Sequence, residues 1–584
     1  MCNLRKTISS IWKILTIFIL AGCHTAGDQR TPLDIARMVS DKVIRDTKFS
    51  FGLVPQQPVL GIQIIDFGRN MSSMPGNAAF AISYLHSDKD TMVRIAMNSS
   101  VPTGISVNDQ PEINLVGKMP AIPIELSYNR FDFERIEPVT IKKGDNKVLV
   151  RSRLDKTGGV VFLRAVTPEG NWDDNFRFSL LPAGVDSSHI PWLMIGPIED
   201  DQAVGDVLRE GFTPVLHSGT NEYTWFLPKQ NMLMELMIDK STTYQRESYL
   251  EWHYANGALL WSMLKIPDTR YADFVKRVCD FTAANLYYFR WQYEQLYALR
   301  GSYHRIFRRT MLDDAGAPTL PYAELMLKSR HQGFDPIVTP MGAYLRYGQQ
   351  RLEDGTFCRP EPVPETVWAD DLFMSVPFLL QLAELEADPA CLDDAALQIE
   401  NFYALLYDPD KKLIYHGWYN RTGEPAPFHW GRANGWMIWA VSEALEKIPQ
   451  EHPAYQKILY NYMNHVAGLV ACQDNSGMWH QVLDHPESYE ETSCTAMFIL
   501  AIARGISSGW LDKEYIEPVV NAWEALKANI DPDGTVHGIC RGTGIGENLE
   551  FYFNRQTFDH DPRGLGAVIT AAMEVSRLFE IQGR

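Results

Sequence analysis

Five short stretches carry side chains whose types and spacing suit bond-making chemistry. MLDDAGAPT places Asp313 and Asp314 before a Gly-containing turn, and ETVWADDLFM places Trp368, Asp370 and Asp371 directly before an apolar run. LIYHGWY sets His416 among aromatics, FHWGRANGW carries Trp430, Arg432, Asn434 and Trp436, and YEETSCTAMF carries Glu490, Glu491, Thr492 and Ser493. A pair of carboxylates can divide the work of general acid and general base, and an Arg fork matches a carboxylate of a ligand. Taken singly, each acidic group reads as a helix cap and His416 as a packed histidine. Taken together, they recur at loop–helix junctions with aromatic flanks. A fold that brings such junctions to one rim would make an acidic, aromatic cleft suited to a sugar.

Other chemistries leave no trace. There is no Cys/His ligand spacing, no GxSxG, no HExxH and no EF-hand loop, so neither a metal nor a cofactor is expected. GTGIG at Gly542 to Gly546 lacks the strand-to-helix context and the Lys-Ser/Thr of a phosphate loop, and is expected to be a flexible loop. Asp and Glu outnumber Lys and Arg by 72 to 54, a net charge of −18, which excludes a general phosphate-binding field and with it nucleic acid as a partner.

The elements that must position these residues fall into two regions. From about 50 to 195 the pattern alternates apolar and polar, in Met92 to Met97, Val139 to Lys142, Lys147 to Arg151 and Val160 to Ala165, with Gly144-Asp145-Asn146 and Asp155 to Gly159 expected as hairpin turns. This predicts an all-β sandwich. After about residue 240 the period becomes helical, with eleven candidate helices: Tyr249 to Leu264, Tyr271 to Phe289, Tyr322 to Leu327, Met341 to Tyr347, Leu372 to Leu385, Leu392 to Leu406, Gly435 to Leu445, Tyr455 to Ala471, Thr492 to Ala503, Tyr515 to Ala528 and Gly564 to Phe579. A bundle, a solenoid and an α/α barrel all fit that pattern. Residues 23–49 are expected to be a tether, 196–239 a linker and 240–584 the helical domain.

Residues 1–22 read as a signal peptide, with Arg5, Lys6 and Lys13 ahead of the short apolar run Ile14 to Leu20. Leu20-Ala21-Gly22-Cys23 resembles a bacterial lipobox, which implies lipidation of Cys23 and attachment to a membrane of the cell envelope. No acidic run follows Cys23, so the periplasmic side of the outer membrane is expected. The six remaining cysteines after Cys2 and Cys23 are expected to be mostly buried thiols.

The stretch VTIKKGDNKVLVRSRL, followed by GGVVFLRAV, resembles a galactose-binding-like β-sandwich. In order along the chain, Leu312-Asp313-Asp314, the Trp368 to Met374 stretch, His416, the Trp430 to Trp436 stretch, Glu491-Thr492-Ser493 and Asp559 to Gly564 resemble glycoside hydrolase family 105, the unsaturated rhamnogalacturonyl hydrolases, related to the unsaturated glucuronyl hydrolases of family 88. The resemblance implies an (α/α)6 barrel. It implies hydration of the 4,5 double bond of a non-reducing-end unsaturated uronic acid on a lyase-generated oligosaccharide. Asp370 would be the general acid and base and Asp313 its partner, with Asp314 one step away. Asp314, Trp368, Asp371, His416, Trp430, Arg432 and Trp436 would bind substrate. Asp371 and Ala433 stand where many members carry Gly. A hydrolase of intact glucuronides on the same barrel and a lipid-anchored, non-catalytic glycan-binding protein are the alternatives; the oligomeric state is left open.

Overall fold

The computed structural model describes residues 28–583 apart from 73, 109, 119–121, 127–129, 188–189, 200–201, 238–247 and 330–331. The expected signal peptide and Cys23 lie outside the described residues.

The N-terminal region is a two-sheet sandwich. One sheet runs in the order Arg177–Ser179, Ala78–Ser87, Gly144–Arg153, Thr103–Val107, Ile113–Leu115, with Leu193–Ile198 also paired to Ala78–Ser87; the other runs Gln63–Asp66, Val160–Val166, Thr91–Ser99, Arg135–Ile141. Alternate residues of both sheets, among them Val93, Ile95, Ile105, Val148, Val150, Val161 and Leu163, fill one core. The two turns expected to close hairpins do not. Arg135–Ile141 and Val160–Val166 lie in one sheet and Gly144–Arg153 in the other, so both turns cross between sheets. At the first crossing the buried Asn146 amide donates to the carbonyls of Lys142 and Gly144, at 2.8 and 3.2 Å. Those bonds satisfy backbone that has left its ladder.

The region expected to be a linker is also built. Leu193–Ile198 belongs to the sandwich, and Met232–Leu236 pairs with Phe51–Pro55 in a two-stranded ribbon. Phe51 of that ribbon stacks on Phe281 at 4.9 Å, which docks it on the helical domain.

Twelve helices of nine or more residues form that domain among the described residues: α1 (Pro32–Asp46), α2 (Tyr254–Met263), α3 (Thr269–Gln295), α4 (Gly316–Ser329), α5 (Asp335–Ala343), α6 (Asp371–Glu386), α7 (Pro389–Leu406), α8 (Gly431–Lys447), α9 (Tyr455–Ala471), α10 (Thr492–Ser507), α11 (Ile516–Ala528) and α12 (Pro562–Gln582). The even-numbered helices pack in sequence and close on themselves, α12 against α2, and each is backed by one odd-numbered helix. This is an (α/α)6 barrel. The inner helices are apolar on all sides, as helices covered on every face must be: Asp371 to Leu382 of α6 and Gly431 to Leu445 of α8 are buried without interruption. Where inner helices meet most closely, glycine is required. A Cβ on Gly316 would collide with the Met374 carbonyl of α6, and one on Gly257 with the Ala317 carbonyl of α4.

The eleven helices expected from periodicity are all present, and the twelfth comes from the supposed tether. Thr31 and Asp34 form a capping box that starts α1, and its Ile35, Ala36, Val39 and Val43 are buried against α12. The apolar stripe had nowhere else to go. Arg30 donates to the carbonyls of Ile530 and Lys527, fastening the entry to α1.

At the C-terminal ends of the inner helices a buried charge cluster ties three of them together. Arg504 of α10, 1% exposed, donates to Glu574 of α12 at 2.9 Å and to Ser442 and Glu443 of α8 at 2.8 Å each, and Lys265 reaches Glu443 at 2.7 Å. Burial opposes the Glu443 charge, but Arg504 and Lys265 outweigh it and hold the carboxyl down to about 2. Arg504→Met removes the buried cation shared by Glu443 and Glu574 and is expected to cost about 3–5 kcal/mol, read as a fall in melting temperature. Because the folded pKa of Glu443 lies below its ordinary value, its contribution is present above about pH 4.5 and is lost as pH falls toward 2. The melting temperature of the native protein is therefore expected to fall more steeply below pH 4.5 than that of Glu443→Gln.

Candidate active site

The opposite end of the barrel gathers the N-termini of the inner helices, and there the sequence clusters meet. Thr366–Trp368 pairs with Gly417–Tyr419 in the register Trp368 to Gly417, and the Ala369 N–H donates to the His416 carbonyl at 3.1 Å. This ladder sets His416 beside the residues that enter α6. Asp370 occupies the cap position of α6, yet its side chain makes no capping hydrogen bond. Its Oδ2 instead lies 3.4 Å from Nε2 of the fully buried His416. The His416 ring is 5.8 Å from Trp368 and 4.6 Å from Trp430, the residue that precedes α8.

A guanidinium that the sequence reading missed holds the acidic side together. Arg359 donates through Nε and Nη2 to the two oxygens of Asp371, at 2.8 and 2.6 Å, and through the same Nη2 to Asp313 at 3.0 Å. Its Cζ lies 4.1 Å from the Trp368 ring centre. Burial, opposed by Arg359 and reinforced by Asp313 and Asp370, pushes the Asp371 carboxyl up to about 6. Burial likewise raises Asp313, with Arg359 pulling against it and Asp314 and Asp370 adding repulsion. Four buried polar atoms in this small volume have no hydrogen-bond partner: Trp368 Nε1, Asp370 Oδ2, His416 Nε2 and Trp430 Nε1. Other buried polar atoms of the chain, such as Tyr489 Oη and both His560 ring nitrogens, also lack partners, but these four lie on residues that adjoin one another at the mouth of the barrel, which suits a polar ligand.

Residues 230–579 match the family model for glycosyl hydrolase family 88. The chain belongs to that family. It is 32% identical to the unsaturated rhamnogalacturonyl hydrolase YesR of Bacillus subtilis over 208 residues, 35% of this chain and 59% of that protein. It is 25% identical to the unsaturated 3S-rhamnoglycuronyl hydrolase of an Alteromonas species over 315 residues, 53% of this chain and 72% of that one. A solved structure from Salmonella enterica, a possible member of the GH105 family, superposes with a TM-score of 0.50 at 21% identity, covering 59% of this chain and 86% of the other. That likeness concerns the fold, and it agrees with the closed ring of helix pairs.

Within this family 88 chain the nine site residues expected from sequence separate into two sets. Asp313, Asp370, Trp368, His416 and Trp430 surround the unpaired atoms. Asp314 does not face them: it is 1% exposed and held by Arg308 through Nε and Nη2, at 3.0 and 2.6 Å. Asp371, also 1% exposed, is spent on Arg359. Trp436 lies in an aromatic column with Phe373 at 4.6 Å and Trp439 at 5.7 Å, inside the ring of helices, and offers no face for stacking on a sugar.

Arg432 overturns the expectation of an open carboxylate clamp. It is 1% exposed, its Nη1 donates to the Cys540 carbonyl and its Nη2 to the Arg541 carbonyl at 2.7 Å. It braces the segment that leads into Gly542 to Gly546. That segment is not a loose loop: Arg555 donates to the Gly542 carbonyl and to Thr543 Oγ1, and the Gly546 N–H donates to the Tyr552 hydroxyl at 3.0 Å. Glu491 acts as a cap, accepting from the backbone of Ser493 and Cys494, and also accepts from Cys540 N–H. Asp474, His480 and Glu490 could together hold a metal ion, but this group contains none of the nine expected site residues.

Tyr552 is the second contributor that the sequence reading missed. Its hydroxyl accepts from Gly546 and lies 2.8 Å from His416 Nδ1. The one phenolic hydrogen is best spent on Nδ1, which assigns the proton of a neutral His416 to Nε2, facing Asp370. In protein carrying ¹⁵N-labelled histidine, His416 is expected as the Nε2–H tautomer, and Tyr552→Phe is expected to mix the tautomers while leaving the ring packed. An Nδ1–H form in the native protein would contradict the assignment.

Proposed function

We propose that the chain hydrates the 4,5 double bond of an unsaturated uronic acid at the non-reducing end of an oligosaccharide and thereby releases that uronate. The observation that carries the reading is the gathering of Asp370 Oδ2 and His416 Nε2, which face each other at 3.4 Å, with the indole N–H groups of Trp368 and Trp430, all buried and none hydrogen-bonded. Two kinds of relative named for unsaturated rhamnogalacturonyl and rhamnoglycuronyl hydrolases support the substrate class.

In this reading Asp370 in its acid form gives a proton to C4 of the enol ether, and the cation at C5 is shared with the ring oxygen. The Asp370 carboxylate then takes a proton from a water that adds to C5. The hemiketal opens by breaking the bond from C5 to the ring oxygen, leaving a ketone at C5. The hemiacetal now at C1 expels the rest of the oligosaccharide as an alcohol. Because the reaction is not a displacement at C1, the separation rule for paired glycosidase carboxylates does not govern it. Asp313, tied through Arg359 to Asp371, places a second negative charge near the cationic carbon. The Nε2–H of His416 faces the carboxylate that must both give and take a proton. The Trp368 and Trp430 N–H groups are the unspent donors for the uronate.

Lyase-generated oligosaccharides absorb in the near ultraviolet through the conjugated double bond. Wild-type protein is expected to remove that absorbance, and Asp370→Asn to slow the loss by at least about 100-fold while melting at the native temperature. Activity near the wild-type level in a folded Asp370→Asn protein would sink the assignment.

A lipid anchor at Cys23 on the periplasmic side of the outer membrane belongs to the same proposal. Among the described residues no helix is long and apolar enough to cross a membrane. Cys23→Ser is expected to move the protein from the membrane fraction to the soluble fraction; unchanged partition would remove the anchor from the account.

A further inference from the structure

Beside the site, on the same end of the barrel, lies an open cavity of about 570 Å³ lined by Phe307, Arg308, Arg309, Pro340, Tyr344 and Tyr347, with Ala343 and Gly348 completing the wall. That volume is within the range of small-ligand pockets. Its place follows from connectivity. Arg308 forms one wall and at the same time grips Asp314, next to Asp313. Tyr344 to Gly348 form a π-helical turn at the end of α5, from which the chain runs through Arg359 to Trp368 and Asp370. The Tyr344 hydroxyl donates to Gln349, whose amide in turn donates to the Cys358 carbonyl, one residue before Arg359.

The lining has the chemistry of an acidic sugar subsite. In a chain of net charge −18, residues 300–309 hold Arg300, His304, Arg305, Arg308 and Arg309 and no acidic group. Arg309 is half-buried, and among the described residues its side chain makes no hydrogen bond or ion pair. Its backbone is held in the left-handed region, at φ 45° and ψ 67°, a conformation that costs energy for a non-glycine residue. Single π-turns of the kind at Tyr344 are also enriched at functional positions. Tyr347 is 81% exposed, and Arg346 Cζ lies 5.4 Å from its ring centre, which leaves the other face of the ring to solvent beside the unpaired Arg309. Aromatic faces suit the apolar face of a sugar ring, and a guanidinium matches a carboxylate with two parallel donors.

We infer that this cavity is a subsite for a further carboxylate-bearing sugar of the same oligosaccharide, beyond the two at its unsaturated end, bound through Arg309 and stacked on Tyr347. The inference rests on the proposed function for the identity of the ligand, but it has its own readout. The enzyme would then favour acidic chains over neutral ones beyond the terminal uronate, and its affinity for them would weaken with salt.

The test has two arms, both on the full chain. In the first, tetragalacturonate, which has no double bond, is titrated calorimetrically into wild type, Arg309→Gln and Tyr347→Ala. Binding by wild type, weakened about 10-fold or more in either variant, is expected for loss of a charge-assisted pair or a stacking face. No binding by wild type, equal affinity in all three proteins, or equal affinity for maltotetraose would overturn the inference. In the second arm, kcat/KM is measured on unsaturated di- and tetragalacturonate. The ratio of tetrasaccharide to disaccharide is expected to fall about 10-fold in Arg309→Gln, and an unchanged ratio would overturn the inference. If wild type turns over neither substrate the proposed function fails, and the first arm still decides the subsite. Tyr347, being exposed, keeps the test available should Arg309→Gln fail to fold.

Discussion

A single guanidinium makes the acidic site possible. Asp313, Asp370 and Asp371 are brought together at the mouths of α4 and α6, and burial there favours the neutral form of Asp313 and Asp371. Arg359 answers this by gripping Asp371 with two donors and sharing one of them with Asp313. Asp370 is left as the carboxylate with an unpaired oxygen. Arg359 also lies on the Trp368 ring, so the strand that carries Trp368 and the loop that carries Arg359 are held by the same contact. Lysine would not replace it, because a compact ammonium cannot give Asp371 two parallel donors while presenting a flat face to the Trp368 ring.

The barrel makes that arrangement general. Six inner helices point their N-termini to one end, where the partial positive charge of the helix and its free N–H groups favour carboxylates. Glu491 and Asp561 spend themselves as caps in this way, whereas Asp370 at the equivalent position of α6 does not. The difference between a capping acid and a reacting one is therefore visible as a missing hydrogen bond. At the other end the Arg504 cluster locks α8, α10 and α12, so the open mouth sits on a closed base. The ring is backed on its last helix by α1, which places the start of the described chain within the barrel rather than beside it.

Much of this was legible in the residues. Helical periodicity marked eleven helices, and the order of Asp313, Trp368, Asp370, His416 and Trp430 along the chain anticipated which side chains meet. What escaped notice depends on distance through space. Arg359 sits in a stretch with no periodic or motif signal, and only the fold shows that it faces Asp313 and Asp371. Tyr552 lies 136 residues from His416. Asp371 and Arg432 looked like ligand contacts because their motifs surround the site, yet both are consumed by partners, a guanidinium and two carbonyls, that a linear reading does not reveal. Helix α1 was lost for another reason: it follows a signal-like segment and stands apart from the helical region, although its capping box and apolar stripe were readable. The crossings at Gly144 and Asp155 resembled hairpins because turn chemistry reports a reversal of direction, not the sheet in which the next strand will pair.

The central claim is that water is added across a double bond, with Asp370 supplying the proton at C4. It is tested most directly by incubating the protein in D₂O with an unsaturated uronyl disaccharide and, separately, with its saturated counterpart, and following both by proton NMR. The account predicts that deuterium enters C4 as the vinyl signal disappears and that the saturated disaccharide stays intact. Cleavage of the saturated disaccharide at a comparable rate, or release of a sugar that still carries its vinyl proton, would contradict it.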